Sequence, residues 1–294
     1  MSANTIKSYE IGLSAFTEFL KNHNYVEIWP PSLNEILQFV AYLSLRNLSA
    51  STARLYVSAI AYKCKILGFI DVTKNFLVSK LLEGMHRLNH GPDTRLPITT
   101  DILKIIISAL PGVCYNSFEV RLFKSAFTLA FWGLFRVGEI TLSKGSNPDK
   151  IISNSDVQIS NGAECIYVHL RFSKTDQWGK GIKIEIPKAI GIICPVESLV
   201  DYLKVRPTVN GPLFCHFNGN ALSRYQFSAM LSKTLNCSGI EPSNYKSHSF
   251  RIGSASALFM AGYSEDTIKH IGRGKSTAYK SYIRTPVISV PKQL

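Results

Sequence analysis

Six cysteines are scattered through the 294-residue chain, Cys64, Cys114, Cys165, Cys194, Cys215 and Cys237, and none forms a C-x-x-C pair. That spacing argues against a zinc site or a disulfide framework and fits free thiols in a reducing compartment. No apolar run reaches membrane-spanning length, and the opening MSANTIKSYE lacks the apolar core of a signal peptide. No membrane partner is therefore expected. A dense Lys/Arg run of the nuclear-signal kind is missing, as are repeats and low-complexity segments. Acidic residues are few, 20 against 33 Lys and Arg, which leaves a net charge of +13. Such a surplus suits a polyanionic partner, nucleic acid or an acidic membrane surface; charge alone is equally compatible with an ordinary basic soluble protein.

What is present is enough for two domains and a sizeable core, with 46% hydrophobic and 18% charged residues. The pattern predicts a mainly α fold with a small antiparallel β-sheet, an α+β protein led by an all-helical domain. Residues 1–88 read as helix throughout. Ile6, Tyr9, Leu13, Phe16 and Leu20 fall at helical spacing. Pro30 and Pro31 break the chain, and Ser32 caps a second helix. Ser51 opens a third, which ends at Gly68, and a fourth covers about residues 74–88. Lys7, Lys21, Arg54, Lys63, Lys65, Lys80 and Arg87 are spread over these helices, where a solvated surface explains any one of them. Residues 89–97, NHGPDTRLP, read as a linker. Residues 98–294 are then a second domain.

In that second domain Thr100 and Asp101 open a helix. Residues 118–140 read as one long apolar helix ending in Arg136, Val137, Gly138 and Glu139. An arginine after so apolar a run needs a partner. Either Arg136 and Glu139 form an ion pair at a helix end, or the carboxylate holds an arginine that binds phosphate. Residues 164–173 and 181–186 alternate as two strands around a hairpin turn carrying Lys174 and Lys180. Pro195 suits a helix first turn, and Ser223 with Gln226 a capping box. Arg224, Tyr225 and Lys233 follow on that helix and have both a DNA-facing and a plain-surface reading.

The last part is the most informative. His248 and Arg251, three apart at the start of an Ala/Ser-rich helix, share one face. Gly262 reads as a C-cap, and Ser264 with Glu265 and Asp266 as the start of another helix. A Gly-rich break, Gly272-Arg273-Gly274, leads to a short helix carrying Tyr279 and Tyr282. A cationic pair, a tight turn and a presented tyrosine fit attack on a phosphodiester, since phosphate needs bidentate cationic donors and a phenol needs activation.

These residues resemble the tyrosine recombinases, or phage integrase family. His248-Ser249-Phe250-Arg251 matches their H-x-x-R motif, Gly133 to Ile140 their first arginine motif, and Ser281-Tyr282-Ile283-Arg284 the tyrosine motif of Cre- and Xer-like members. The wording GRGKSTAYKSYIR is most similar to eukaryotic mobile-element recombinases of the DIRS and Crypton kinds. The resemblance covers residues 97–284 well and the first 88 loosely. It implies a helical core-binding DNA-binding domain ahead of a catalytic domain, double-stranded DNA as partner, and a tetramer on two duplexes. It implies Tyr282 as nucleophile, Arg136 and Arg251 as phosphate clamps, Glu139 as the holder of Arg136, Lys174 as general acid and His248 as proton acceptor or donor. A 3′-phosphotyrosyl intermediate stores the energy of the cut, so no ATP, cofactor or metal is required. A nuclear location follows if the source is eukaryotic, and the cytoplasm otherwise.

One position departs from the family, which puts His or Trp just before the final tyrosine helix. Nine residues before Tyr282 stands Arg273; in the alternative G-R-W register the position is Gly274. Arg273 substitutes as a charged donor in the first register, and the donor is lost in the second. A DNA-binding module without turnover and a type IB topoisomerase-like activity are the competing functions. The final residues, 285–294, are expected to form an extended tail that docks on a neighbouring copy.

Overall fold

The computed structural model describes residues 1, 3–89, 94–173 and 180–273. Lys174, Gly274, Tyr279, Tyr282 and the C-terminal tail lie outside the described residues. The chain divides into two compact units, Met1–Asp93 and Thr94–Leu294.

The first unit is helical: α1 (Ala3–Asn22), α2 (Leu33–Leu45), α3 (Ala50–Ile66) and α4 (Phe76–Asn89). Ser32 caps α2 in a full capping box, accepting from the Glu35 amide at 3.2 Å while the Glu35 carboxylate accepts from the Ser32 amide at 2.6 Å. The cap of α3 is Ser49 rather than the expected Ser51; its Oγ accepts from the Thr52 amide at 3.1 Å. Gly68 follows the last turn of α3 in the left-handed region, φ 73°, which ends the helix as its sequence suggested. Phe16, Phe19, Ile36, Phe39, Val57, Ile60 and Leu82 form the core, with Phe16 edge-on to Phe39 at 5.0 Å.

In the second unit the helices are α5 (Thr100–Val113), α6 (Ser117–Trp132), the short α7 (Val137–Ile140), α8 (Pro195–Leu203), α9 (Arg224–Cys237), α10 (Ser249–Met260) and α11 (Glu265–Ile271). Strands β1 (Val157–Ile159), β2 (Cys165–Leu170) and β3 (Ile182–Pro187) form one antiparallel sheet in the order β1-β2-β3. The β2–β3 register runs from Cys165 opposite Pro187 to Leu170 opposite Ile182, so the two strands expected from the sequence pair antiparallel. On β3 only Ile186 is fully buried, and Ile182 lies at the exposed end.

The long helix expected over 118–140 is two helices. α6 stops at Trp132, and α7 starts after Arg136. The reason is steric. A Cβ at position 133 would stand 2.2 Å from the Phe135 ring, so only glycine fits there, and Leu134 turns into the left-handed region with φ 47°. α6 is the spine of the unit and packs against α5, α8 and α10. Phe127 of α6, Phe227 of α9 and Phe250 of α10 meet with ring centroids 4.8–5.4 Å apart. Each such buried ring contributes about 1.5–3 kcal/mol in burial alone. The trio sets the start of α10 beside the C-terminal end of α6, and the buried Ser254 hydroxyl donates to the Phe131 carbonyl across the same seam.

Candidate functional site

The break between α6 and α7 is the floor of the site. Left-handed Leu134 ends the helix and leaves the carbonyls of Gly133 and Leu134 to accept from side chains. Arg251, one turn into α10, donates through Nη1 to the Leu134 carbonyl and through Nη2 to the Gly272 carbonyl at the end of α11. Arg273 donates to the Gly133 carbonyl at 3.2 Å and to the Leu134 carbonyl at 2.9 Å. Both arginines are buried, and one peptide oxygen serves both.

Arg136 stands at the N-cap of α7, and Glu139 is three residues on. The carboxylate closes the turn: Oε2 accepts from the Arg136 amide at 3.0 Å, and Oε1 from Arg136 Nη1 at 2.9 Å. Oε2 also accepts from Arg273 Nη2 at 3.1 Å. Glu139 therefore bridges the two arginines, with 7% of its side chain exposed; Arg136 keeps 20% and Arg273 4%. The Arg273 guanidinium lies over the Phe135 ring, 5.0 Å from its centroid. Burial pulls the Arg273 pKa below the usual arginine value, and Glu139 opposes the shift. Of the two readings of the Arg136–Glu139 spacing, the ion pair is present and its arginine reaches the surface.

His248 precedes α10 and is half-buried. Its pKa is lowered, first by burial and then by the positive charges of Arg95, Arg224, Arg251 and Arg136. These four arginines come from the segment before α5, from α9, from α10 and from the α6–α7 turn. Arg224 also donates to the Ser247 hydroxyl at 3.3 Å. The structure thus brings Arg136, Glu139, His248, Arg251 and Arg273 together. Lys174 and Tyr282, outside the described residues, are not placed. Arg95 was missed by sequence reasoning: nothing in the polar stretch around it signals that Leu96 and Ile98 pair with Asn244 and Ser249, which brings the stretch up to the start of α10.

The Glu139 carboxylate pairs with two guanidinium groups, those of Arg136 and Arg273, and Arg251 meets Arg273 at the Leu134 carbonyl, so the cluster carries more positive than negative charge. A cationic cluster with a neutral imidazole beside it can bind an oxyanion and exchange a proton with a ligand. Among the described residues no group of His, Cys, Asp or Glu is arranged to hold a metal ion.

Residues 1–63 match the family "Phage integrase, N-terminal SAM-like domain". The chain is similar in structure to the XerH site-specific recombinase bound to palindromic difH substrate, with TM-score 0.64, 14% identity and coverage of 96% of this chain and 76% of that one. The chain has the tyrosine recombinase fold. A lambda integrase tetramer bound to a Holliday junction shares this fold at TM-score 0.63 and 18% identity, covering 97% of this chain and 72% of that one. The Tn1549 transposon integrase in complex with transposon right end DNA does so at TM-score 0.63 and 15% identity, covering 97% and 90%. No curated protein matches the sequence. The recombinase fold is mainly helical with one small antiparallel sheet, as the sequence pattern implied.

Proposed function

We propose that this protein is a site-specific DNA recombinase that cuts and rejoins duplex DNA through a covalent tyrosyl intermediate. The observation that carries the proposal is the convergence of Arg136, Arg251 and His248 around the Leu134 turn, within a recombinase fold. The relatives with this fold are recorded on DNA, one of them as a tetramer. A basic chain of net charge +13 suits the same partner.

The chemistry follows from the residues. The Tyr282 hydroxyl attacks the scissile phosphorus, forming a phosphotyrosyl bond as the bond to the 5′-oxygen breaks. A phenol is mostly protonated at neutral pH, so its proton must leave, and the neutral imidazole of His248 accepts it. Lys174 supplies a proton to the departing 5′-oxygen. Arg136 and Arg251 balance the charge that grows on the non-bridging oxygens; losing one such donor lowers rates by about 10²–10³. Rejoining reverses these steps, and the phosphotyrosyl bond conserves the energy of the cut.

A second reading, a DNA-binding module without turnover, is favoured by one observation: Arg251 and Arg273 spend their donors on backbone carbonyls. Incubation with a nicked duplex carrying the ends of the DNA that flanks the coding region separates the two. The recombinase reading predicts a covalent, protease-sensitive protein–DNA adduct. A gel shift with no adduct supports the module.

A further inference from the structure

We infer that Arg273 is a positioning residue that keeps Arg136 available to phosphate by sharing the Glu139 carboxylate, rather than a donor that touches DNA itself. The inference rests on the DNA-acting reading above.

The geometry of Arg273 points inward. Its guanidinium donates to two backbone carbonyls and to Glu139, and its face covers Phe135. With 4% of its side chain exposed it is closed off from solvent, whereas Arg136, at 20%, opens to it. The two arginines divide Glu139 between them. Oε1 accepts from the Arg136 side chain, and Oε2 accepts from the Arg136 amide and from Arg273.

Charge decides what this sharing does. Arg136, Glu139 and Arg273 together carry a net +1. Without Arg273 the carboxylate faces Arg136 alone, and the pair is neutral. An Arg136 whose charge is offset by the whole Glu139 carboxylate attracts phosphate less and is drawn toward Glu139. Arg273 is also held in the left-handed region, φ 53°, so its backbone is bent to turn the guanidinium onto the α6–α7 turn.

The test reads DNA binding, independently of turnover. The salt dependence of affinity for a duplex is measured for the full chain and for Arg136→Ala, Arg273→Gln, Arg273→Lys and the Arg136→Ala/Arg273→Gln pair. Each lost phosphate contact lowers the slope of log K against log salt by about 0.9. The expected result is that Arg273→Gln lowers the slope as much as Arg136→Ala, that the pair lowers it no further, and that Arg273→Lys restores it. Glutamine keeps donors for the carbonyls, and a thermal melt confirms that each variant is folded. Additive losses, about 1.8 for the pair, overturn the inference, because Arg273 then meets phosphate itself. A wild-type slope in Arg273→Gln also overturns it. A wild-type protein that does not bind duplex DNA overturns the recombinase reading instead.

Discussion

A Cβ on Gly253 would stand 1.8 Å from the carbonyl oxygen of Ile98. Gly253 lies inside α10, and its bare backbone face receives the extended chain that enters the second unit. The Ile98 amide donates to the Ser249 carbonyl at 3.0 Å, and the Leu96 amide to the Asn244 carbonyl at 2.8 Å. This docking brings Arg95 near His248. Gly253→Ala is therefore expected to cost about 3 kcal/mol or more, since backbone and not a flexible side chain must move. Gly112→Ala, at a helical position with nothing within 4 Å, is the control and should be neutral or slightly stabilising. Denaturant midpoints of the two variants check this; equal midpoints would contradict the close approach.

His248 sets a pH dependence whose sign is fixed by its surroundings. Burial and four arginines lower its folded pKa below the ordinary 6.5. The unfolded chain then binds a proton that the folded chain rejects. The stability due to neutral His248 is complete above pH 6.5 and is lost as pH falls through the lowered folded value. Cleavage under subsaturating DNA should show an acid limb below pH 6.5, because the free enzyme's base must be neutral to accept the phenol proton. His248→Gln should lower the rate by about 10²–10⁴ and remove that limb. A limb unchanged in the variant would assign the proton transfer to another group.

Thiol chemistry should single out one cysteine. Cys237 is exposed, whereas Cys64, Cys165, Cys194 and Cys215 are buried. Cys114 is partly covered, and burial pushes its pKa up to about 11. Alkylation of the native protein near pH 8 should therefore mark Cys237 first and leave Cys114 slow, because the thiolate is the reacting species. Mass mapping of the labelled peptides is the check. Rapid loss of the Cys114 thiol would contradict its burial against Met230.

Much of the fold was legible because helix starts are local. Ser32, the Ser223–Gln226 box and Ser264 each cap the helix expected of them. The site was legible where spacing is short, as for Arg136 with Glu139 and His248 with Arg251. What escaped is long-range or steric. The apolar run through residues 118–135 reads as unbroken helix, and only the clash between a side chain at 133 and the Phe135 ring explains its stop. β1 is three residues long, too short to show an alternation. The inward turn of Arg273 depends on Glu139 and on two carbonyls far back in the chain, so the sequence presented it equally well as a phosphate donor.

The proposed recombinase joins a tyrosine of its own chain covalently to DNA beside the arginine cluster. The most direct measurement is to trap the adduct on a nicked duplex and identify the DNA-linked peptide by mass spectrometry, for the wild type and for Tyr279→Phe and Tyr282→Phe. Linkage is expected at Tyr282, with an adduct that survives in Tyr279→Phe and none in Tyr282→Phe although that variant still binds DNA. An adduct that persists in Tyr282→Phe would contradict it.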